Sequence, residues 1–253
     1  MTLQRRIVNT PPTAVEETNE WDRVATSRWG AYVSNIERRA ITYAIDRLPG
    51  PGDALDLGCG AGRWSRVLAD RGWRTVCTDV SAEALSICQH RVPSARCILR
   101  RPDERTLPSP PDSVRLLLCI EVPPVMQSEW FVRESARVLQ PGGLLVAVCW
   151  NLLSVRGLFC HARAAFRPDA DYYRTAYLSW RRTVTRRGFR VLREEGFCWF
   201  PFRRNSNSPF VRSATSFENL LGLRRLAPLS PWVVAVLQKQ HDPANSLRHT
   251  APA

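Results

Sequence analysis

The chain has 253 residues, 44% hydrophobic and 23% charged, a balance that fits one soluble globular domain with enough length to bury a real core. No stretch reaches the roughly 18 apolar residues of a bilayer span, and the N-terminal MTLQRRIVNTPPTAVEE has no apolar signal-peptide core, so the expected compartment is the cytoplasm. The formal charge of +13 comes from 36 Lys and Arg against 23 Asp and Glu, yet the arginines fall in pairs such as Arg38-Arg39 and Arg186-Arg187, a pattern of a solvated basic surface more than of a phosphate-tracking groove.

In chain order, residues 1 to 18 are polar and proline-containing and read as a loose arm. From Trp21 to Leu48 apolar residues recur at three and four, which predicts one or two amphipathic helices, a cap over residues 21–49 ahead of the main domain at 50–253. PGPGD breaks that pattern, ALDLG follows as a short buried strand, and GRWSRVLADRG continues as a helix. TVCTDV is the second strand, Ser81 caps the helix AEALSICQHR, ARCILR is the third strand and SVRLLLCIEV the fourth. SEWFVRESARVL is helical and stops at QPGG, after which LLVAVCW forms a fifth strand. Strands alternating with helices of this length predict an α/β, Rossmann-like doubly wound, mostly parallel sheet. Beyond Trp150, a helical insertion over about 151–185 precedes two more strand-like runs, FRVLREEGF and PWVVAVLQK. Between these two runs a long segment, about 201–230, reads as a flexible loop or a functional lid.

Eight cysteines are scattered without a Cys-x-x-Cys pair and several sit inside apolar runs, so they read as buried free thiols in a reducing compartment.

The most informative stretch is ALDLGCGAGRWS at 54–65. Glycine permits positive φ and lets a ligand touch main chain, and the amides at the following helix start favour negative charge. A dinucleotide fold wants Gly-x-Gly-x-x-Gly, but Arg63 stands where the third glycine belongs. The pattern is instead Asp-x-Gly-x-Gly-x-Gly, led by Asp56.

Over residues 53 to 150 the chain resembles the core of a class I S-adenosylmethionine-dependent methyltransferase, of the small-molecule, ubiquinone-biosynthesis-like type. LDLGCGAG is close to that family's first motif, TVCTD ends in an acid at Asp79, PDERTLP resembles the segment after the third strand, and RVLQPGG resembles the usual helix end and turn. The resemblance implies a seven-stranded sheet whose last strand, PWVVAVLQK, is inserted antiparallel beside FRVLREEGF, with S-adenosyl-L-methionine as cofactor and no metal. It implies that Asp79 accepts hydrogen bonds from both ribose hydroxyls, that Asp103 meets the adenine amino group and that the backbone near Glu104 reads the ring edge. Asp56, Gly58, Cys59, Gly60, Gly62, Val80 and Ile120 complete the implied cofactor-binding set.

The pattern also departs from the family. Glu121 is present after the fourth strand, but Pro124 and Val125 stand where many relatives carry a second acid and a histidine, and Arg115 stands where an acid is common. Methyl transfer is an in-line displacement in which positioning supplies most of the acceleration, so a base is required only if the acceptor must lose a proton. No catalytic residue is named. His161, Tyr172 and Tyr173 follow the fifth strand and read as ordinary helix or packing residues. The aromatics Trp21, Trp29, Tyr32, Phe159, Phe166 and Trp180 are either core or an apolar cover over the cofactor. The expected activity is methylation of a small organic acceptor such as a quinone precursor, polyketide or sugar. The alternatives are an RNA methyltransferase using the basic surface, or a non-catalytic regulatory protein that binds the cofactor.

Overall fold

A computed structural model describes residues 20–164 and 172–241. The expected arm at 1–18 and Phe166 lie outside the described residues, as does the side chain of Trp21.

The apolar runs pair as one sheet. Its strands are β1 (Asp53–Leu57), β2 (Arg74–Asp79), β3 (Arg96–Leu99), β4 (Val114–Cys119), β5 (Leu139–Trp150), β6 (Phe189–Phe197) and β7 (Trp232–Lys239), in the order β3-β2-β1-β4-β5-β7-β6. The first five are parallel to one another, and β7 is inserted antiparallel between β5 and β6. Side chains alternate between the two faces, so each strand feeds two cores. Ala54, Leu116, Leu118, Val146 and Val234 lie in the core on one face, and Leu55, Leu117, Cys119, Leu145 and Val233 in the core on the other.

The first face is covered by α2 (Arg28–Ile45) and α3 (Arg63–Ala69), with α1 (Glu20–Thr26) packed against α2. Ser27 starts α2 by accepting a hydrogen bond from the Gly30 amide at 3.0 Å. From there Trp29, Val33, Ile36, Ala40, Ile41 and Ala44 are buried at the three- and four-residue spacing that the sequence predicts. The region expected to hold one or two helices thus forms two, broken at Ser27. α4 (Ala82–Arg91) is capped by Ser81, as expected, with the Ala84 amide 3.1 Å from its hydroxyl. The other face carries α5 (Pro123–Met126), α6 (Glu129–Val138) and α8 (Tyr177–Arg186), while α7 (Val155–Ala164) follows β5 and α9 (Phe210–Leu220) precedes β7.

Three details differ from the sequence reading. β5 begins at Leu139 and runs through the Pro-Gly-Gly turn, because a register shift lets Leu139 pair with Val114 while Leu144 pairs with Leu116. α5 is a single Pro-initiated turn that contains Pro124 and Val125, the positions of the missing second acid and histidine. The segment at about 201–230 is built instead around α9 and two 3-10 turns, and Asn151 ties its end to β5 by donating to the carbonyls of Pro228 and Ser230 at 2.9 and 3.0 Å. All eight cysteines are free, six of them buried. No helix among the described residues is long and apolar enough to cross a membrane.

β1 has β2 on one side and β4 on the other, so the connections leaving β1 and β4 diverge. A crevice opens at the carboxyl ends of these strands, the place where open α/β sheets bind ligands.

Candidate cofactor and acceptor site

The glycine turn sits in that crevice. Gly58, Gly60 and Gly62 all have positive φ, at 72°, 53° and 78°, a backbone path that side chains with a Cβ resist. The amides of Gly58 and Cys59 both donate to the Thr78 carbonyl, at 2.7 and 3.0 Å, which docks the turn on the end of β2. Asp79 then acts as a staple: one carboxylate oxygen accepts from the Gly60 amide at 2.8 Å and the other from the Ser81 amide at 2.9 Å. Each oxygen keeps a lone pair for a further donor.

A cavity of about 260 Å³ lies over the turn. Gly58, Cys59, Gly60, Asp79, Val80, Glu104 and Ile120 line it, seven of the ten residues expected at the cofactor. The other three stand elsewhere. Asp56 is 2% exposed behind the turn and accepts from the Ser65 hydroxyl at 2.5 Å. Gly62 starts α3, and a Cβ there would come within 2.6 Å of Cys88 Sγ. The Asp103 side chain is 77% exposed and paired with Arg101 at 3.5 Å, so Glu104 rather than Asp103 reaches the cavity wall.

Two consequences of this packing are measurable. Gly62→Ala combines a left-handed φ with a steric collision, and should destabilise by about 1–3 kcal/mol; its urea midpoint is expected to fall with an unchanged slope. Burial, opposed by the Ser65 hydrogen bond, pushes the Asp56 pKa from 3.8 to about 7. A carboxyl raised on folding binds more protons folded than unfolded, so its contribution to stability falls as pH rises from about 4 to 7 and stays low above that. Asp56→Asn keeps an acceptor for Ser65 and removes this loss. It should raise Tm by about 5 °C at pH 8 and by much less at pH 4.5; an equal gain at both values would refute the assignment.

The far part of the cavity wall is what the sequence reading did not assemble. Glu121 has φ 57°, a conformation uncommon for a residue with a long side chain. Its carboxylate is paired with the guanidinium of Arg204, which comes from the segment before α9 and lies over the rings of Trp150 and Trp232 at 5.4 and 5.3 Å. Behind Glu121 sits Glu37 of α2, fully buried. One Glu37 oxygen accepts from Arg63 at 3.1 Å and the other, Oε1, has no recorded hydrogen-bond partner among the described residues. Burial first, and then the charge of Glu121, hold the Glu37 carboxyl well above the usual range, against the opposing pull of Arg63 and Arg204. Glu37 is therefore the group held toward its protonated form, and Glu121 lies between it and the cavity. Arg63 also donates to Ser34 at 2.6 Å and lines the same wall as Trp29 and Trp232.

Of the remaining candidates, His161 is exposed on α7 and outside the cavity wall. Tyr173 is buried and accepts from Trp232 Nε1 at 2.8 Å. Tyr172 and Phe159 are exposed, Trp180 packs under the sheet, and the Tyr32 hydroxyl donates to Glu218 at 2.5 Å. Arg115 lies at the opposite end of β4, where it donates to the carbonyls of Gly50 and Pro51. Arg204 was the hardest to foresee, because its only signal in the sequence is membership of an Arg pair in a loop.

Comparison with known proteins agrees with this geometry. Residues 54–143 match the family described as Methyltransferase domain. The chain is 32% identical over 110 residues to 2-methyl-6-phytyl-1,4-hydroquinone methyltransferase of Synechocystis sp., covering 42% of this chain and 35% of that protein. It is 33% identical over 100 residues to demethylmenaquinone methyltransferase of Tropheryma whipplei, covering 38% and 41%. The chain thus spans well under half the length of these two relatives. Among solved structures, a geranyl diphosphate methyltransferase in complex with GPP and sinefungin superposes with a TM-score of 0.58 at 17% identity, covering 84% of this chain and 82% of that one. A putative methyltransferase from Bacillus halodurans superposes with a TM-score of 0.59 at 15% identity, covering 81% and 99%. Fold, motif order and the matched segment define a class I methyltransferase domain of the S-adenosylmethionine-dependent kind.

Proposed function

We propose that this protein binds S-adenosylmethionine over the glycine turn and transfers its methyl group to a small organic acceptor bearing an ionisable hydroxyl. The carrying observation is that one cavity is lined both by Asp79 with the glycine turn and by the Glu121–Arg204 pair. The cavity suits a polar nucleoside: Thr78 Oγ1, Trp64 Nε1 and Arg100 Nη1 belong to wall residues and have no partner among the described residues. In this reading Asp79 accepts from the ribose hydroxyls. The amides of the turn approach the amino-acid tail, Arg63 faces its carboxylate, and Val80 and Ile120 flank the adenine beside Glu104. The cofactor, when bound, supplies an electrophilic methyl on a sulfonium.

The residues of the chain do the rest. Trp29 and Trp232 offer flat apolar surface for the acceptor, α1 and α2 close the cavity as its cap, and Glu121 receives the acceptor hydroxyl proton. Arg204 orients that carboxylate. Eight free thiols suit a reducing compartment, and we place the protein in the cytoplasm.

The test is transfer of labelled methyl from S-adenosylmethionine to a panel of hydroxylated aromatics and quinols, with total RNA as a further arm. Product from a quinol or phenol supports the reading. Product from RNA alone, with salt-dependent binding, would replace it, and cofactor binding without transfer to any acceptor would leave a regulatory binding protein.

A further inference from the structure

Half of the cysteines meet in one place. Cys59 comes from the glycine turn, Cys77 from β2, Cys88 from α4 and Cys97 from β3. Cys77 and Cys97 are direct partners in the parallel β2–β3 register, so their side chains leave the same face of the sheet. The sulfur atoms of Cys59, Cys77 and Cys88 all lie within 4.8 Å of one another, and Cys97 packs at the edge of this group on the same sheet face as Cys77. The surround is apolar, made of Leu85, Val92, Ala95 and Ala69. Three of the thiols are buried and Cys97 is half-buried, which leaves an approach from its side.

An apolar core needs no convergence of sulfur from four separate elements, since any small hydrophobe fills such space equally well. Three mutually close sulfurs with a fourth packed beside them offer the donor set that zinc takes in closed tetrahedral sites. With Zn–S bonds of about 2.3 Å the sulfurs of such a site stand about 3.8 Å apart. Cys59, Cys77 and Cys88 need to close by no more than about an ångström to reach that spacing, and Cys97 turns in from the edge as the fourth ligand. We propose that Cys59, Cys77, Cys88 and Cys97 form a structural Zn²⁺ site behind the cofactor turn. Each ligating thiol releases its proton to solvent as the ion binds. The ion then ties together the glycine turn, β2, β3 and α4, the elements that set the position of Asp79. Its role is to fix the turn, and it takes no part in the transfer. The inference rests on the sulfur geometry alone and stands or falls apart from the acceptor reading.

The experiment is a titration of the reduced, metal-free full-length protein with Co²⁺ under anaerobic conditions. A site of this kind gives sulfur-to-cobalt charge-transfer absorption and the visible bands of a tetrahedral ion, saturating at one equivalent and displaced by Zn²⁺. Cys77→Ser and Cys88→Ser should each weaken Co²⁺ binding at least tenfold, while Cys119→Ser and Cys149→Ser, buried in the other core, should not. In the unmutated protein Zn²⁺ should raise Tm and a chelator reverse the gain, a readout that needs no variant to fold. Absence of the charge-transfer absorption from the folded, reduced protein overturns the proposal. So does an absorption that survives both Cys77→Ser and Cys88→Ser, which would place the ion elsewhere, and so does uptake of Co²⁺ without thiolate bands.

Discussion

Asp79→Ala is expected to weaken S-adenosylmethionine binding by about a hundredfold to a thousandfold. In the proposed complex two ribose hydroxyls donate to one carboxylate, and hydrogen bonds to a charged acceptor are worth about 1.5–3 kcal/mol each. A loss of about 3–4 kcal/mol corresponds to that range of Kd. The same substitution removes the acceptor for the Gly60 and Ser81 amides, so part of the effect is a loosened turn. Calorimetric titration with the cofactor, alongside circular dichroism to confirm the fold, separates the two contributions. Asp79→Asn is informative as well. It keeps the volume, but its amide must turn an N–H toward one of two backbone N–H groups, so it should also bind poorly. Unchanged affinity in both variants would mean that the ribose does not rest on this carboxylate.

Glu121→Gln is expected to lower kcat by about 10²–10⁴ with hydroxyl acceptors, the range that removal of a positioned base produces, while KM for the cofactor changes little. Glutamine preserves size and still accepts from Arg204, so the fold and the guanidinium stacked on Trp150 and Trp232 should persist. Glu37→Gln is the matching control. Glu37 is already held toward its protonated form, so a neutral amide mimics its native state. Because its carboxyl is raised by folding, its ionisation opposes folding increasingly as pH climbs above the unfolded value, and Glu37→Gln should gain stability at high pH and not at low pH. Steady-state kinetics on both variants with the best quinol or phenol decide the matter. If Glu121→Gln transfers methyl as fast as the unmutated protein, the proton leaves by another route and positioning alone carries the reaction.

Local pattern made much of the architecture readable. The β1 glycine turn, the acid at the end of β2 and the Ser81 cap are each fixed by residues a few positions apart. Backbone preference and hydrophobic period act on that same scale. The antiparallel insertion of β7 was legible only through the family resemblance; the apolar run WVVAV by itself argues for a place inside the sheet and not for a direction. Asp103 and Asp56 show where motif position stops being informative. Both sit in the expected order, yet one side chain turns out to Arg101 and the other inward to Ser65, a choice made by neighbours the motif does not contain. The start of β5 is similar, since only pairing with Val114 shows that the Pro-Gly-Gly turn lies inside the strand.

By itself, then, the sequence determined the alternation of strands and helices, the turn that exposes main chain to a ligand and the presence of Asp79 beside it. Tertiary structure alone decided which distant groups share a wall. Glu121 and Arg204 are 83 positions apart, and Arg63 and Glu37 are 26 apart. The four thiols likewise come from four elements. The reason is physical: backbone conformation responds to near neighbours along the chain, whereas a side-chain meeting depends on strand register and helix packing. Those are set jointly by all the apolar surface the chain must bury.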